Sequence, residues 1–123
     1  MTSAKIRALR GATTCAVDTP EEIAEATQEL LTLLMARNQL EHDDVVSVIL
    51  TTTPDLTSSF PATSARAIGF GDIPLLCASE IAVPGSMPRC VRVLLHVYTD
   101  AERTDIHHVY LRDARTLRDD LPE

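Results

Sequence analysis

The chain of 123 residues has no tryptophan and only four aromatic side chains, Phe60, Phe70, Tyr98 and Tyr110. Stacking platforms for bases or sugar rings need more π surface than this, so a ligand site here works mainly through polar and aliphatic groups. Lysine is nearly absent: Lys5 stands alone beside ten arginines, and the net charge is −7. Phosphate neutralisation needs a basic face, and none stands out, which argues against nucleic acid as a partner. Arginine in place of lysine favours forked, bidentate recognition of carboxylates or phosphates wherever such a cation is functional. Cys15, Cys77 and Cys90 are odd in number, widely spaced and without a C-x-x-C, so neither a disulfide framework nor a zinc site is expected. No uncharged run approaches the roughly 20 residues of a membrane helix. The opening "MTSAKIRALRGATT" also lacks the apolar segment of a secretory signal. A soluble, cytoplasmic protein with no membrane partner is the expectation.

A hydrophobic content of 45% suits one domain over residues 1–123 with a real core. "KIRALRGATT" reads as a first strand running into a glycine turn, with Ile6, Ala8 and Arg10 on one face. The stretch 18–40 is the clearest helix. Thr19 is its N-cap, Pro20 its first position and Glu22 the far end of a capping box, and Ile23, Thr27, Leu30, Leu31 and Leu34 form one stripe. "VVSVILTTT" is a β-branched strand stopped at Pro54-Asp55, and a short helix spans Pro61 to about Gly69. "IPLLCASEI", the long run from Arg89 to Thr99, and "IHHVYLRDA" supply three more strands. A polar, flexible tail is expected from about 113. The fold class is therefore α+β, a mixed β-sheet with helices on one face.

The run from 89 to 99 decides more than its length. Val91, Val93, Leu95 and Val97 form a wholly apolar face, while Cys90, Arg92, Leu94, His96 and Tyr98 form a mixed one. If helices cover the first face, the second most simply meets another subunit, because a mostly apolar sheet face rarely stays wet.

No phosphate loop, H-E-x-x-H, G-x-S-x-G or EF-hand pattern is present. His107 and His108 would point to opposite faces of a strand, so they make no chelating pair, and no metal is expected. Cys77 lacks a local base and reads as a structural thiol. What remains is a set of charges in apolar surroundings: Arg10, Glu80 and Arg92, with Tyr110 on the last strand. Residue patterns alone also allow Glu80 and Arg92 to form a purely structural ion pair.

"IRALRGATT", "TTPDLTSSFPATSAR", "CASEI", "RCVRV" and "HVYL…TLRDDL" together resemble the monofunctional chorismate mutases of the Bacillus type, in order and spacing, from about Ile6 to Leu121. The resemblance implies a Claisen rearrangement of chorismate to prephenate on the route to phenylalanine and tyrosine, with no cofactor, metal or covalent intermediate. It implies a homotrimer, a pseudo-α/β-barrel with active sites at the subunit interfaces. By the same match, Arg92 donates to the breaking ether oxygen and a substrate carboxylate, and Glu80 accepts from the ring hydroxyl with Cys77 beside it. Arg10 binds the enolpyruvyl carboxylate and Tyr110 orients it. Phe60, Arg66 and Leu117 complete the pocket, and Arg118 comes from a tail that closes over the substrate. Thr63 departs from the lysine many members carry there. Two other functions compete: an imine or enamine deaminase of the related trimer fold, whose signature segments are not visible, and a non-catalytic trimer that binds a carboxylate metabolite.

Overall fold

The computed structural model describes residues 4–118, less the side chain of Arg118. Within it, β1 (Lys5–Thr14) leads to α1 (Pro20–Arg37), β2 (Val45–Thr52) and α2 (Pro61–Ala65). There follow β3 (Leu75–Ser79), β4 (Cys90–Thr99) and β5 (Val109–Tyr110). They make one sheet in the order β3-β2-β4-β1-β5. The central β4 is antiparallel to β1 and β2, whereas the edge strands β3 and β5 run parallel to their neighbours. This is the mixed α+β sheet that the sequence predicts.

Both helices lie on one face. Leu30, Leu31 and Leu34 of α1, with Ala62 and Ala65 of α2, pack in one core against Leu9, Val48, Leu50, Val93, Leu95 and Val97. Each fully buried leucine stabilises the fold by roughly 1.5–3 kcal/mol, so this layer fixes the orientation of β4. Thr19 caps α1 as expected, its hydroxyl accepting from the Glu22 backbone N–H at 3.2 Å. Only half of the capping box forms, because the Glu22 carboxylate accepts instead from Ala16 N–H, also at 3.2 Å.

Two strand boundaries differ from the sequence reading. Gly11 is no turn: β1 continues through it, and a Cβ there would lie 3.0 Å from Leu30 Cδ1, Leu34 Cδ1 and Val93 Cγ1. The glycine lets α1 approach the sheet. The last strand is also far shorter than "IHHVYLRDA". Asn38 takes the His107 backbone through both its amide groups, His108 Nδ1 accepts from Arg10 N–H at 2.9 Å, and Arg112 turns left-handed at φ 54°. Only Val109 and Tyr110 are left to pair with β1. Where a tail was expected from about 113, a 3-10 helix spans Arg112–Arg118, and its Ala114 is fully buried against Ala12 and Cys90.

That short helix covers only one end of the second sheet face. The rest carries Ile6, Leu76 and Tyr98, which are 56%, 61% and 48% exposed, and Ile81 follows β3 at 86%.

Candidate active site

Alternation along β4 places Arg92 on the face away from the helices, flanked in register by Ala12 of β1 and Thr51 of β2. Glu80 sits just past β3, where its backbone N–H donates to Thr52 O at 2.8 Å and prolongs the strand by one rung. Its carboxylate therefore reaches the same face. Arg92 Nε donates to it, 3.2 Å from Oε1 and 3.1 Å from Oε2, and the Thr51 hydroxyl donates to Oε2 at 2.6 Å. The ion pair left open by the sequence is thus formed, and it stands in a cleft. The cleft has a volume of about 420 Å³ and is lined by Arg10, Ala12, Ile49, Thr51, Arg92, Leu94, Tyr110 and Leu117. Two guanidinium groups and a phenol converge there among aliphatic walls, with the half-buried Glu80 carboxylate held beside Arg92. Such a site can hold a dianion and meet developing negative charge.

The base of β4 is held by the segments that flank it. Asp55 accepts from Arg89 N–H, at 2.9 Å to Oδ2, and from the Thr53 hydroxyl at 2.6 Å. Thr53 accepts in turn from Cys90 N–H, while Arg89 Nε donates to Cys15 O. "RGATT", "TTPDL" and "RCVRV" meet here, two residues from Arg92. Burial pushes the thiols of Cys15 and Cys90 up to about 11 each, so both are inert packing groups near neutral pH. Asp18 pins a further loop. Its carboxylate accepts from the backbone N–H and hydroxyl of both Thr57 and Ser58, and the Ser58 hydroxyl above all holds it below the usual 3.8.

Phe60 and Cys77 do not join Arg92. They line a second cleft of about 490 Å³ at the β3 edge, with Thr57, Ser58 and Ser79. Cys77 packs against the helix-side core, so it stands across the sheet from Glu80 and not beside it in the chain's own cleft. Arg66 is exposed past α2 and donates to the Thr63 hydroxyl at 3.3 Å. The Arg118 side chain lies outside the described residues. Sequence reasoning missed Thr51, which anchors Glu80; its signal was the β2 alternation that sets a hydroxyl opposite Arg92. Among the described residues, no three His, Cys, Asp or Glu side chains are grouped to hold a metal, and no helix is long and apolar enough to cross a membrane.

Residues 6–121 match the family model described as Chorismate mutase type I. The chain is 49% identical to Chorismate mutase AroH of Thermus thermophilus, over 94% of this chain and 96% of the relative. It is 42% identical to Chorismate mutase AroH of Bacillus subtilis (strain 168), over 94% and 92% respectively. A solved structure, Chorismate mutase from Clostridium thermocellum Cth-682, superposes with a TM-score of 0.88 at 47% identity, covering 89% of this chain and 98% of that one.

Proposed function

The chain belongs to the chorismate mutase type I family, and from that premise we infer that it isomerises chorismate to prephenate in the cleft around Arg92. It is an isomerase of aromatic amino acid synthesis. The rearrangement is unimolecular: a C–C bond forms as an ether C–O bond breaks, and nothing is exchanged with the protein. A catalyst for it must hold the substrate folded with its reacting ends together and must meet the charge that separates.

The observation that carries this reading is a guanidinium fixed before the substrate arrives. Glu80 takes the Nε edge of Arg92 and Thr51 holds Glu80, which leaves the terminal nitrogens of the fork for the ether oxygen and a substrate carboxylate. A preorganised donor of this kind is worth about 2.7–4 kcal/mol in the transition state. Arg10 binds the enolpyruvyl carboxylate, Tyr110 orients it, and Glu80 accepts from the ring hydroxyl with a lone pair that Thr51 and Arg92 leave open. Leu117 closes the apolar wall, and Arg118 follows it from the same helix.

Phe60, Cys77 and Arg66 serve the site of a neighbouring copy in a cytoplasmic homotrimer of single-domain chains. Two observations support this: Phe60 and Cys77 line a cleft separate from the one that Arg10, Arg92, Tyr110 and Leu117 line, and the second sheet face exposes Ile6, Leu76 and Tyr98. The decisive experiment is incubation of the purified protein with chorismate while its ultraviolet absorbance is followed. Prephenate should accumulate as absorbance falls, and no loss at micromolar enzyme would sink the reading. Sedimentation under the same conditions should give three chains per particle, and an active monomer would refute the interfacial site.

A further inference from the structure

Arg112 does not line the cleft, yet it stands between two residues that do. Tyr110 lies two positions before it and Leu117 five after. We propose that Arg112 is a positioning residue for the reaction: clamped against α1, it fixes where Tyr110 and Leu117 enter the cleft. The proposal rests on the reading of that cleft as the active site.

The clamp has four points. Arg112 Nη1 donates to Glu22 Oε1 at 2.9 Å and to Thr14 O at 3.1 Å. Nη2 lies 3.7 Å from Glu25 Oε1, and Nε lies 3.5 Å from Glu29 Oε1. Residues 22, 25 and 29 share one face of α1, where three carboxylates would repel one another without a cation. One planar fork meets all three, a geometry that a lysine ammonium lacks. The side chain is 28% exposed and that of Glu22 21%, so the shortest contact is shielded from much of the solvent.

The backbone at Arg112 adds a second argument. Its φ of 54° is left-handed, a conformation that a non-glycine residue keeps only where its surroundings over-determine it. The chain on both sides is tied to β1: Leu111 N–H donates to Ala12 O at 2.9 Å and Asp113 N–H to the Thr14 hydroxyl at 3.3 Å. A rotation about Arg112 would therefore shift Tyr110 and Leu117 together. The Arg92–Glu80–Thr51 group hangs from β4, β2 and the end of β3 and does not depend on this corner. Loss of the clamp should weaken substrate binding and spare the chemical step.

Steady-state kinetics with chorismate test this on Arg112→Ala, Arg112→Gly and Arg112→Lys, with Arg92→Ala alongside. Glycine tolerates the left-handed backbone, so it separates backbone strain from loss of the fork. Alanine and glycine should both raise KM by roughly fivefold or more with kcat within about twofold, and lysine should fall between them and the unaltered chain. An unchanged KM, a fall in kcat alone, or a KM restored by glycine would each overturn the proposal. If the alanine and glycine variants do not fold, lysine decides: it should raise KM about twofold or more, and a normal value refutes the clamp. An Arg92→Ala protein with normal kcat would sink the reading of the cleft itself, whereas a collapsed Arg92→Ala with normal Arg112 variants would sink only this inference.

Discussion

Replacing Arg92 by lysine separates the two roles open to the Arg92–Glu80 pair, structural support and catalysis. As a structural pair it is modest. The side chains are 41% and 20% exposed, and an ion pair so well solvated contributes about 1 kcal/mol or less. Lysine also keeps the positive charge, so the melting temperature should fall by no more than roughly 2–8 °C. The catalytic loss is much larger. Arginine binds Glu80 through Nε and still presents its terminal nitrogens, whereas lysine has one nitrogen for both tasks. Whichever partner it chooses, the transition state loses a preorganised donor, about 2.7–4 kcal/mol or 10²- to 10³-fold in kcat. The assay is the decay of chorismate absorbance, run beside a thermal melt on the same preparation. A kcat within about tenfold of the unaltered protein would show that Arg92 is not the donor. A collapse of the melting transition would instead make the pair structural.

Three further perturbations follow from the packing and the loops. Gly11→Ala sets a methyl 3.0 Å from three core side chains and should cost about 1–3 kcal/mol in urea denaturation; unchanged stability would mean that α1 does not need the glycine. Among the described residues the buried Thr27 hydroxyl has no hydrogen-bond partner, so Thr27→Val should stabilise the protein by about 1 kcal/mol, and a loss would reveal a partner for that oxygen. Asp18 titrates below 3.8 in the folded chain, chiefly through the Ser58 hydroxyl, so its contribution is present above the unfolded value and lost as pH falls through the folded one. The gap in melting temperature between the unaltered protein and Asp18→Asn should thus be full near neutrality and close progressively below pH 3.8; a gap independent of pH would contradict the assignment.

The features legible in the sequence were those written in short periods. Alternation from Val91 to Val97 gave both faces of β4, and Thr19 with the stripe from Ile23 to Leu34 gave α1 and its buried side. Strand ends were less legible because they are set from a distance. Gly11 looks like a turn residue until α1 is known to press on it, and "IHHVYLRDA" alternates well enough for a strand although Asn38, 69 residues away, holds the His107 backbone instead. The site divides in the same way. Arg10, Glu80, Arg92 and Tyr110 stand out as polar groups in apolar runs. Thr51, Asp18 and Asp55 do not, since a hydroxyl or a carboxylate in a loop acquires its task only from the partner that folding brings to it.

The face assignments on β3 also bear on the proposal that a second chain completes the site. Cys77 packs with the helix-side core, while Glu80, three residues on, turns its carboxylate toward Arg92 on the other face. Period-2 geometry forbids the two side chains from sharing one pocket of the same sheet. If both belong to one active site, the Phe60–Cys77 edge must be brought against Arg92 by another copy. The open face that would receive it carries Ile6, Tyr98 and Leu76, apolar surface that gains from being covered. Covering it would also remove water from around Arg92, and a fixed charge acts far more strongly on a developing oxyanion in such a site than in solvent. Assembly and catalysis would then draw on the same burial.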